Sequence, residues 1–450
     1  MRWSDRLSPK LIILLIVAAY LLVGALYAVY TPAWQAPDEP AHYNYVRYLA
    51  EKSRFPVLHH GDYPHIYLEQ IVSARFPPDM SVEPIRYEFW QPPLYYMLAT
   101  PFYRLFGGAL IPLRLFSVVL GAGVVVTAYA IALALRPGDT VLALGVAAFV
   151  AFVPMHLTMM ASVNNDALAE LLLAVVMLLL IRLAWKLPRN GQASFRLSSL
   201  ALVGLLLGLG LVTKATVYVA IPLALVALVL LERRPKPLAR QALALFGPAL
   251  VLAIPWYVRN VAVYGWPDLL GTLNHDAVVV GQLRTPDYVA TVGWPAYSKN
   301  FFTTSFQSFW GQFGWMAVPM DRRIYLALGF LSALIVVGFV LALWRGKGLG
   351  DLKVWGLVAL WLILTSLMYV YYNISLVQFQ GRYLFPALVP IGLLATLGLL
   401  TILSRRWVLV AALICGLVAV IIGVGSALGG DPVSYTHLTL PTKEAGCGGG

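Results

Sequence analysis

The chain is poor in charge: only 12% of its 450 residues are Asp, Glu, Lys or Arg, whereas 60% are hydrophobic. A soluble domain carries about 25% charged residues, so these charges are too few to cover the surface of a soluble globular enzyme. Cysteine is nearly absent, and Cys415 and Cys447 cannot build a disulfide framework. The sequence also lacks a glycine-rich phosphate loop, a Ser-His-Asp pattern and a tight His/Cys metal spacing. The low charge therefore excludes a soluble enzyme, and the cysteine count excludes a disulfide framework.

What the sequence has in abundance is apolar blocks of membrane-spanning length. The expected fold is therefore an all-α polytopic membrane protein with about eleven transmembrane helices and two long outer loops. The predicted spans are Leu11–Tyr30, Leu110–Leu135, Val141–Met160, Ala167–Leu183, Leu197–Val212, Thr216–Leu231, Ala242–Val258, Ile324–Leu343, Val354–Tyr372, Tyr383–Leu403 and Val408–Leu428.

The net charge of +12 indicates which side of the membrane each loop faces. Pro92–Gly108 is apolar but short and contains Pro101, and counting it as a twelfth span would reverse every later loop. With eleven spans, seventeen bases and four acids face the cytoplasm, as the positive-inside rule requires. We therefore expect a cytoplasmic N-terminus (residues 1–10), and Pro92–Gly108 as an interfacial or re-entrant helix. The basic excess is an orientation signal, and nucleic-acid binding is not expected.

The predicted transmembrane domain covers residues 11–428 and contains two long outer loops. The first, residues 31–109, carries juxtamembrane helices, and the second covers residues 259–323. Both are rich in Trp, Tyr, Pro and charge, and long connections of this kind are usually functional. In the tail, residues 429–450, the segment Val433–Thr442 resembles a translated sequencing adapter. We expect residues 433–450 to be an artefact, which an unbroken genomic reading frame through these codons would disprove.

Three acidic residues are candidates for chemistry near the outer surface. Asp38 and Glu39 follow the first span, in "APDEPAHYNYVRYLAE", before a predicted amphipathic helix that starts near Pro40. Adjacent carboxylates can divide the work of proton acceptor and cation ligand, but Asp38 can equally cap the following helix. Asp166, in "VNNDALAE", either caps the fourth span or shares a substrate or metal with Glu39.

Three basic residues interrupt apolar sequence on the predicted outer side of the membrane. Lys214 lies in the turn between the fifth and sixth spans, Arg259 ends the seventh, and Arg382 begins the tenth. Each can extend to the membrane interface, which is the usual fate of such a residue. Together, opposite acidic residues, they can instead bind a phosphate or diphosphate.

Six motifs together resemble one family of membrane enzymes. In chain order they are "PDEPAHYNYVRYLAE", "QPPLYYMLATPFYRLFG", "NNDALAE", "TKAT", "PWYVRNVAVYG" and "QGRYLFPALVP". Their order is similar to that in the GT-C fold membrane glycosyltransferases. Within these the chain resembles the protein O-mannosyltransferase and aminoarabinose transferase group (glycosyltransferase family 39-like) and its bacterial relatives.

The resemblance implies a polyprenyl-phosphate sugar donor, an inverting transfer, and Asp38 as the general base on the acceptor hydroxyl. Glu39 and Asp166 would help to hold acceptor, donor phosphate or a divalent cation. Lys214, Arg259 and Arg382 would bind the leaving phosphate.

The aminoarabinose branch carries a lysine before its Pro-Pro element, where this chain has Gln91, which cannot neutralise charge. Phosphate recognition must therefore differ here or be shared with other residues. Gln91, His42 and Asn165 are candidates to line the acceptor cavity, although a lone histidine is more often structural.

The expected partners are the lipid-linked donor, the bilayer and a lipid, glycan or protein acceptor. The expected location is a bacterial plasma membrane, with the site on the outer face. The alternative is a transporter or flippase for a lipid-linked envelope precursor. A transporter needs its charges near the bilayer midplane on broken helices, whereas Asp38, Asp166 and Arg382 are expected at helix ends beside the long outer loops.

Overall fold

Helices make up nearly all the regular structure of the residues that the computed structural model describes, which are 8–185, 196–346, 351–405 and 407. In the first half these are α1 (Pro9–Tyr30), α2 (Glu39–Lys52), α3 (His65–Ser73), α4 (Leu94–Leu105), α5 (Leu110–Leu135), α6 (Thr140–Phe152), α7 (Pro154–Met160), α8 (Asp166–Trp185) and α9 (Leu197–Leu211). The second half contains α10 (Ala220–Leu231), α11 (Pro235–Tyr264), α12 (Thr272–Val278), α13 (Thr285–Trp310), α14 (Arg322–Trp344), α15 (Leu352–Ser375) and α16 (Leu388–Ile402). Short 3₁₀ helices, Ala215–Val219 and Gly381–Ala387, precede α10 and α16, and a two-stranded hairpin pairs β1 (Gln312–Phe313) with β2 (Val318–Pro319).

The predicted polytopic helical fold is confirmed, but the count of eleven spans is not. Seven helical segments among the described residues are long and apolar enough to cross a membrane. The count is eight if α6 and α7 are taken as one broken span. The axes of these two helices differ by 65° at the break before Pro154. Two predicted spans are shorter than expected: α9 has 15 residues and α10 has 12. The eleventh, Val408–Leu428, lies outside the described residues, as does the tail from residue 429.

The ambiguous segment Pro92–Gly108 contains α4, a helix of 12 residues with Pro101 inside it. Such a helix is about 18 Å long, well short of the roughly 30 Å hydrocarbon core of a bilayer. It packs against α2 and α5. Just before the Pro-Pro element, the Gln91 carbonyl oxygen accepts a hydrogen bond from the Tyr45 hydroxyl of α2.

Close helix packing holds the bundle together. The α5 helix contacts α1, α6 and α8, while α9 packs along α11 and α14 packs along α16. Glycine permits the last two contacts: a Cβ on Gly204 would collide with the carbonyl oxygen of Leu245, and one on Gly398 with that of Ile335. Small residues at helix contacts are the usual way for membrane helices to approach closely.

The two predicted outer loops are folded and touch each other. The first contains α2, α3 and α4, and the second contains α12, α13 and the β1–β2 hairpin. The Trp315 indole donates a hydrogen bond to the carbonyl oxygen of Trp34 at 2.9 Å. Val279 packs with Ala41 and Ile71 in a small apolar cluster. Through these contacts, the two loops pack together at the end of the bundle where α1 ends and α8 begins.

Candidate functional site

Asp38 lies in the bend between α1 and α2 with a left-handed backbone conformation (φ 68°, ψ −8°). Asp and Asn adopt this conformation more readily than other non-glycine residues. Its side chain makes no capping hydrogen bond to α2, so the capping alternative does not describe it. The carboxylate instead accepts hydrogen bonds from the Tyr87 hydroxyl at 2.7 Å and the Arg382 guanidinium at 2.6 Å. Its partners therefore come from two other parts of the chain.

The charge of Asp38 is stabilised by these partners. Burial favours the neutral acid, but the Arg382 guanidinium and the hydrogen bond from Tyr87 outweigh it and lower the pKa of Asp38 to about 2. Asp38 is thus an anion at any physiological pH. It can accept a hydrogen bond from a hydroxyl, but it holds a proton weakly while Arg382 remains in place.

Arg382 is placed by the 3₁₀ turn Gly381–Ala387. The backbone of Gly381 lies so close to α13 that a Cβ would collide with the backbone of Ser305 and Phe309. The guanidinium also donates to Gln380 Oε1 at 2.7 Å, and its side chain is 6% exposed. Its position is therefore determined by backbone packing as well as by charge.

A second ion pair joins Asp166 to Lys214. Asp166 is the first residue of α8, and its amide donates to Asn164 Oδ1 at 2.9 Å. Lys214 directly precedes the 3₁₀ helix Ala215–Val219, and its Nζ lies 2.7 Å from Asp166 Oδ1. The two side chains are 16% and 22% exposed, so the pair remains partly accessible. The structure thus places Lys214 and Arg382 beside acidic residues, as the sequence predicted.

His42 lies between the two ion pairs. Its Nδ1 is 2.8 Å from the Tyr96 hydroxyl, and the ring is buried. Burial and the charge of Lys214 lower the pKa of His42 to about 3, against the opposing charges of Asp38 and Asp166. The imidazole is therefore neutral at physiological pH and contributes a hydrogen bond rather than charge.

Glu39 does not share the environment of Asp38. Its carboxylate is fully buried and paired with Arg114, whose Nε and Nη2 donate to the two carboxylate oxygens at 2.7 and 2.6 Å. The backbone amides of Trp34 and Val163 donate to the same carboxylate. Arg114 also donates to the carbonyl oxygens of Ala28, Thr31 and Pro32 at the end of α1. The sequence predicted a catalytic or cation-binding Glu39, but these contacts favour a role in joining α1, α2, α5 and α8.

The expected cation site is not supported by the donor groups that are present. Glu39 is saturated by Arg114 and backbone amides, and Asp166 is paired with Lys214. Within the described ranges, no group of three His, Cys, Asp or Glu side chains could hold a metal ion.

Arg259 belongs to a different cluster from the other two bases. Its guanidinium donates to the carbonyl oxygen of Pro56 and lies 4.7 Å from the Trp256 ring and 5.5 Å from the Tyr264 ring. These contacts fasten the first outer loop to the end of α11. The sequence grouped Arg259 with Lys214 and Arg382, but the structure does not bring it to the acidic residues.

Gln91 and Asn165 lie next to each other, and Asn165 directly precedes Asp166 of the second ion pair. Asn165 Nδ2 is 3.4 Å from Gln91 Oε1 and 3.3 Å from the Thr213 carbonyl oxygen. The Asn165 Oδ1 atom is enclosed and has no hydrogen-bond partner among the described residues. Both residues are buried, so they are enclosed in the protein beside the ion pair.

Four charged or polar residues of this region were missed from the sequence. Arg114 and Glu170 are isolated charges inside predicted spans, and such residues are usually functional or paired, so that signal was available. Glu170 Oε2 lies 3.0 Å from His156 Nε2, one helical turn below Asp166. Tyr87 and Glu88 lie in an irregular stretch of the first outer loop, where no periodicity or motif distinguishes them.

The comparison with protein families identifies the chain. Residues 88–391 match the family described as "Predicted membrane protein (DUF2142)". The chain belongs to this family. The match begins at Glu88 and includes α4, Asp166, Lys214 and Arg382. A search of curated proteins finds no match.

Solved structures show which fold this family member has. ArnT from Cupriavidus metallidurans in the apo state aligns with a TM-score of 0.54 and 17% identity, covering 88% of this chain and 60% of ArnT. The Archaeoglobus fulgidus oligosaccharyltransferase tethered to an acceptor peptide aligns with a TM-score of 0.55 and 10% identity, covering 92% of this chain and 55% of that protein. The expected GT-C fold is confirmed. The chain spans less than two thirds of either relative, and identities this low establish the fold alone.

Proposed function

We propose that this protein is a glycosyltransferase that moves a sugar from a polyprenyl-phosphate donor to an acceptor hydroxyl of the cell envelope, at the outer face of the membrane and with inversion. The observation that carries the proposal is the pair of acid–base contacts, Asp38–Arg382 and Asp166–Lys214, at one end of a GT-C bundle. An AglB structure from Archaeoglobus fulgidus with the same fold (TM-score 0.50, 11% identity) contains a dolichol-phosphate. A lipid phosphate of this class suits the two bases.

The donor phosphate would bind by replacing the carboxylates as partner of the bases. Arg382 offers a planar set of donors and Lys214 a compact charge, and both groups recognise phosphate well. While they hold the phosphate, they stabilise the negative charge that develops on it as the sugar leaves. The carboxylates of Asp38 and Asp166 are then free to face the substrate.

Asp38 would hold the acceptor hydroxyl in line with the anomeric carbon. Its carboxylate is ionised and 24% exposed, so an incoming hydroxyl can donate a hydrogen bond to it. Removal of the Arg382 contact by donor phosphate would raise the pKa of Asp38, because the main charge that lowers it is then engaged elsewhere. Donor binding would therefore strengthen the interaction between Asp38 and the hydroxyl.

One observation favours the alternative of a transporter or flippase for a lipid-linked precursor. The α6–α7 segment is a broken helix, and it carries His156 paired with Glu170 inside apolar sequence. Transporters place polar groups on broken helices near the midplane. In contrast, Asp38, Asp166 and Arg382 all lie at helix ends, which favours the transferase. Movement of a fluorescent polyprenyl-phosphate sugar across liposomes, without loss of the sugar, would support the transporter instead.

The direct test is donor turnover by the purified protein. Incubated with a panel of radiolabelled polyprenyl-phosphate sugars and membrane lipid extract, it should release polyprenyl phosphate from one of them. Asp38→Asn should abolish the release, since Asn tolerates the left-handed backbone but accepts hydrogen bonds weakly and binds no proton. Full turnover by Asp38→Asn would disprove the role of Asp38.

A further inference from the structure

A histidine–glutamate pair lies inside the bundle, close to the turn that carries Arg382. His156 is fully buried and Glu170 is 6% exposed. The His156 Nε2 atom, in the short helix α7, lies 3.0 Å from Glu170 Oε2 in α8. Ionisable groups within apolar spans are costly and usually functional, so this pair is expected to have a role in the protein.

The break before α7 determines which way the His156 ring faces. In a continuous helix the Val150 carbonyl oxygen would accept a hydrogen bond from the amide of the fourth residue after it, but that residue is Pro154, which has no N–H. The His156 Nδ1 atom lies 3.0 Å from the same carbonyl oxygen. A carbonyl oxygen only accepts hydrogen bonds, so Nδ1 carries a proton and the side chain replaces the missing backbone donor.

The other ring nitrogen shares a proton with the carboxyl group. An unprotonated Nε2 beside a carboxylate would place two acceptors 3.0 Å apart with no hydrogen between them. One proton therefore lies between His156 and Glu170, and the pair has no net charge on whichever atom that proton resides. His156 thereby joins Val150 of α6 to Glu170 of α8, and these two hydrogen bonds set the direction in which α7 leaves the break.

Helix α7 contacts the Arg382 turn at two points. The rings of His156 and Phe385 meet edge to face, with centroids 5.2 Å apart and an angle of 83° between their planes. Phe385 follows Arg382 by three residues, which is one turn of the 3₁₀ helix Gly381–Ala387. The Met159 Sδ atom, also in α7, lies 4.0 Å from Arg382 Nη1. The direction of α7 therefore affects both the turn and the guanidinium.

We propose that His156 is a positioning residue, which holds α7 and thereby the Arg382 turn in place for phosphate binding; this rests on the proposed function, in which Arg382 binds the donor phosphate. Arg382 Nη2 faces Asp38, whereas Nη1 faces Met159. A phosphate that replaces Asp38 takes over the Nη2 side. The support from α7 therefore remains while the phosphate is bound.

The test removes the two hydrogen bonds and keeps the packing. His156→Phe combined with Glu170→Leu retains a ring beside Phe385 and leaves no buried charge unpaired, so the protein should fold. Binding of undecaprenyl phosphate to the purified protein, followed by tryptophan fluorescence, should weaken by about 10-fold. In an Arg382→Gln background the same two substitutions should weaken binding by less than about twofold further, because both changes act through one group.

Glu170→Gln separates the hydrogen bond from the charge. The Gln amide can donate to His156 Nε2 while Nδ1 still donates to Val150, so binding should stay within about threefold of wild type. The matched control is His65→Phe with Glu69→Leu, which makes corresponding changes at a surface pair in α3 whose Nε2–Oε1 distance is 3.4 Å. This control should bind undecaprenyl phosphate as wild type does.

Three results would overturn the positioning role alone. They are wild-type affinity in the variant that combines His156→Phe with Glu170→Leu, an undiminished effect of these substitutions in the Arg382→Gln background, and a loss in Glu170→Gln as large as in the combined variant. If wild type does not bind undecaprenyl phosphate, or Arg382→Gln binds it as wild type does, the phosphate site of the proposed function fails, and the positioning role fails with it.

Discussion

At the scale of single residues, the site depends on which partner each charge has. Asp38 and Glu39 are neighbours in sequence, yet the Asp38 side chain is partly exposed and paired with Arg382, whereas that of Glu39 is fully enclosed and paired with Arg114. The left-handed backbone at Asp38 turns its side chain away from the helix that Glu39 begins. Two adjacent carboxylates therefore have separate roles, one in the site and one in the scaffold.

The two phosphate-binding candidates can be separated from Arg259 by binding measurements. Lys214→Gln and Arg382→Gln should each weaken undecaprenyl phosphate binding by about 10- to 100-fold, since a charged hydrogen bond contributes about 1.5–3 kcal/mol. Arg259→Gln should change binding by less than about twofold, because its contacts are with Pro56, Trp256 and Tyr264. If all three variants weakened undecaprenyl phosphate binding equally, Arg259 would belong to the phosphate site as well.

The buried Glu39–Arg114 pair should control stability rather than chemistry. Glu39→Gln or Arg114→Met leaves one buried charge without its partner, which typically costs about 3–5 kcal/mol. The thermal unfolding midpoint in detergent should fall sharply for either single variant. Replacing both residues, as Glu39→Met with Arg114→Met, should recover part of that loss. A single variant with wild-type stability but no turnover would contradict the structural role.

At the scale of helices and turns, the sequence predicted apolar elements well and broken ones poorly. Leu110–Leu135 was predicted with the bounds that α5 has. The span predicted over Val141–Met160 is divided by a 65° bend, because Pro154 cannot continue the hydrogen bonding of α6. Thr216–Leu231 starts as a 3₁₀ turn rather than as a regular helix, which hydropathy alone cannot distinguish.

The turn before α16 offers a test of positioning without a change of charge. Gly381→Ala adds a Cβ that would collide with the α13 backbone at Ser305 and Phe309, so the turn must move and carry Arg382 with it. Undecaprenyl phosphate binding should weaken by about 10-fold or more, as in the Arg382 variant. The control is Gly356→Ala, at a helical glycine with open space around it, which should bind as wild type does. Unchanged binding in Gly381→Ala would show that the turn does not place Arg382.

At the scale of the whole molecule, contacts between residues far apart in sequence determine which side chains of the candidate site are paired. Asp38 and Arg382 are 344 positions apart, and the parity of the predicted spans could place them on one side but could not pair them. The fold and the placement of Asp38, Asp166, Lys214 and Arg382 at one end of the bundle were therefore within reach of the sequence. The partners Tyr87 and Arg114 were not, because their roles arise only when separate loops and helices meet.

The proposed orientation can be tested on the whole chain by cysteine labelling. In a background with Cys415 and Cys447 replaced by Ser, Glu69→Cys in the first outer loop should react with a membrane-impermeant maleimide added to intact cells. Lys236→Cys, exposed at the opposite end of the bundle, should react only after the cells are opened. The reverse pattern would place the site on the cytoplasmic side.

The most direct measurement of the central claim is the release of polyprenyl phosphate by purified protein. We expect one radiolabelled polyprenyl-phosphate sugar of a panel to lose its sugar to an acceptor from the membrane extract, with wild-type protein but not with Asp38→Asn. Failure of wild type to release polyprenyl phosphate from any donor, or equal release by Asp38→Asn, would contradict the account.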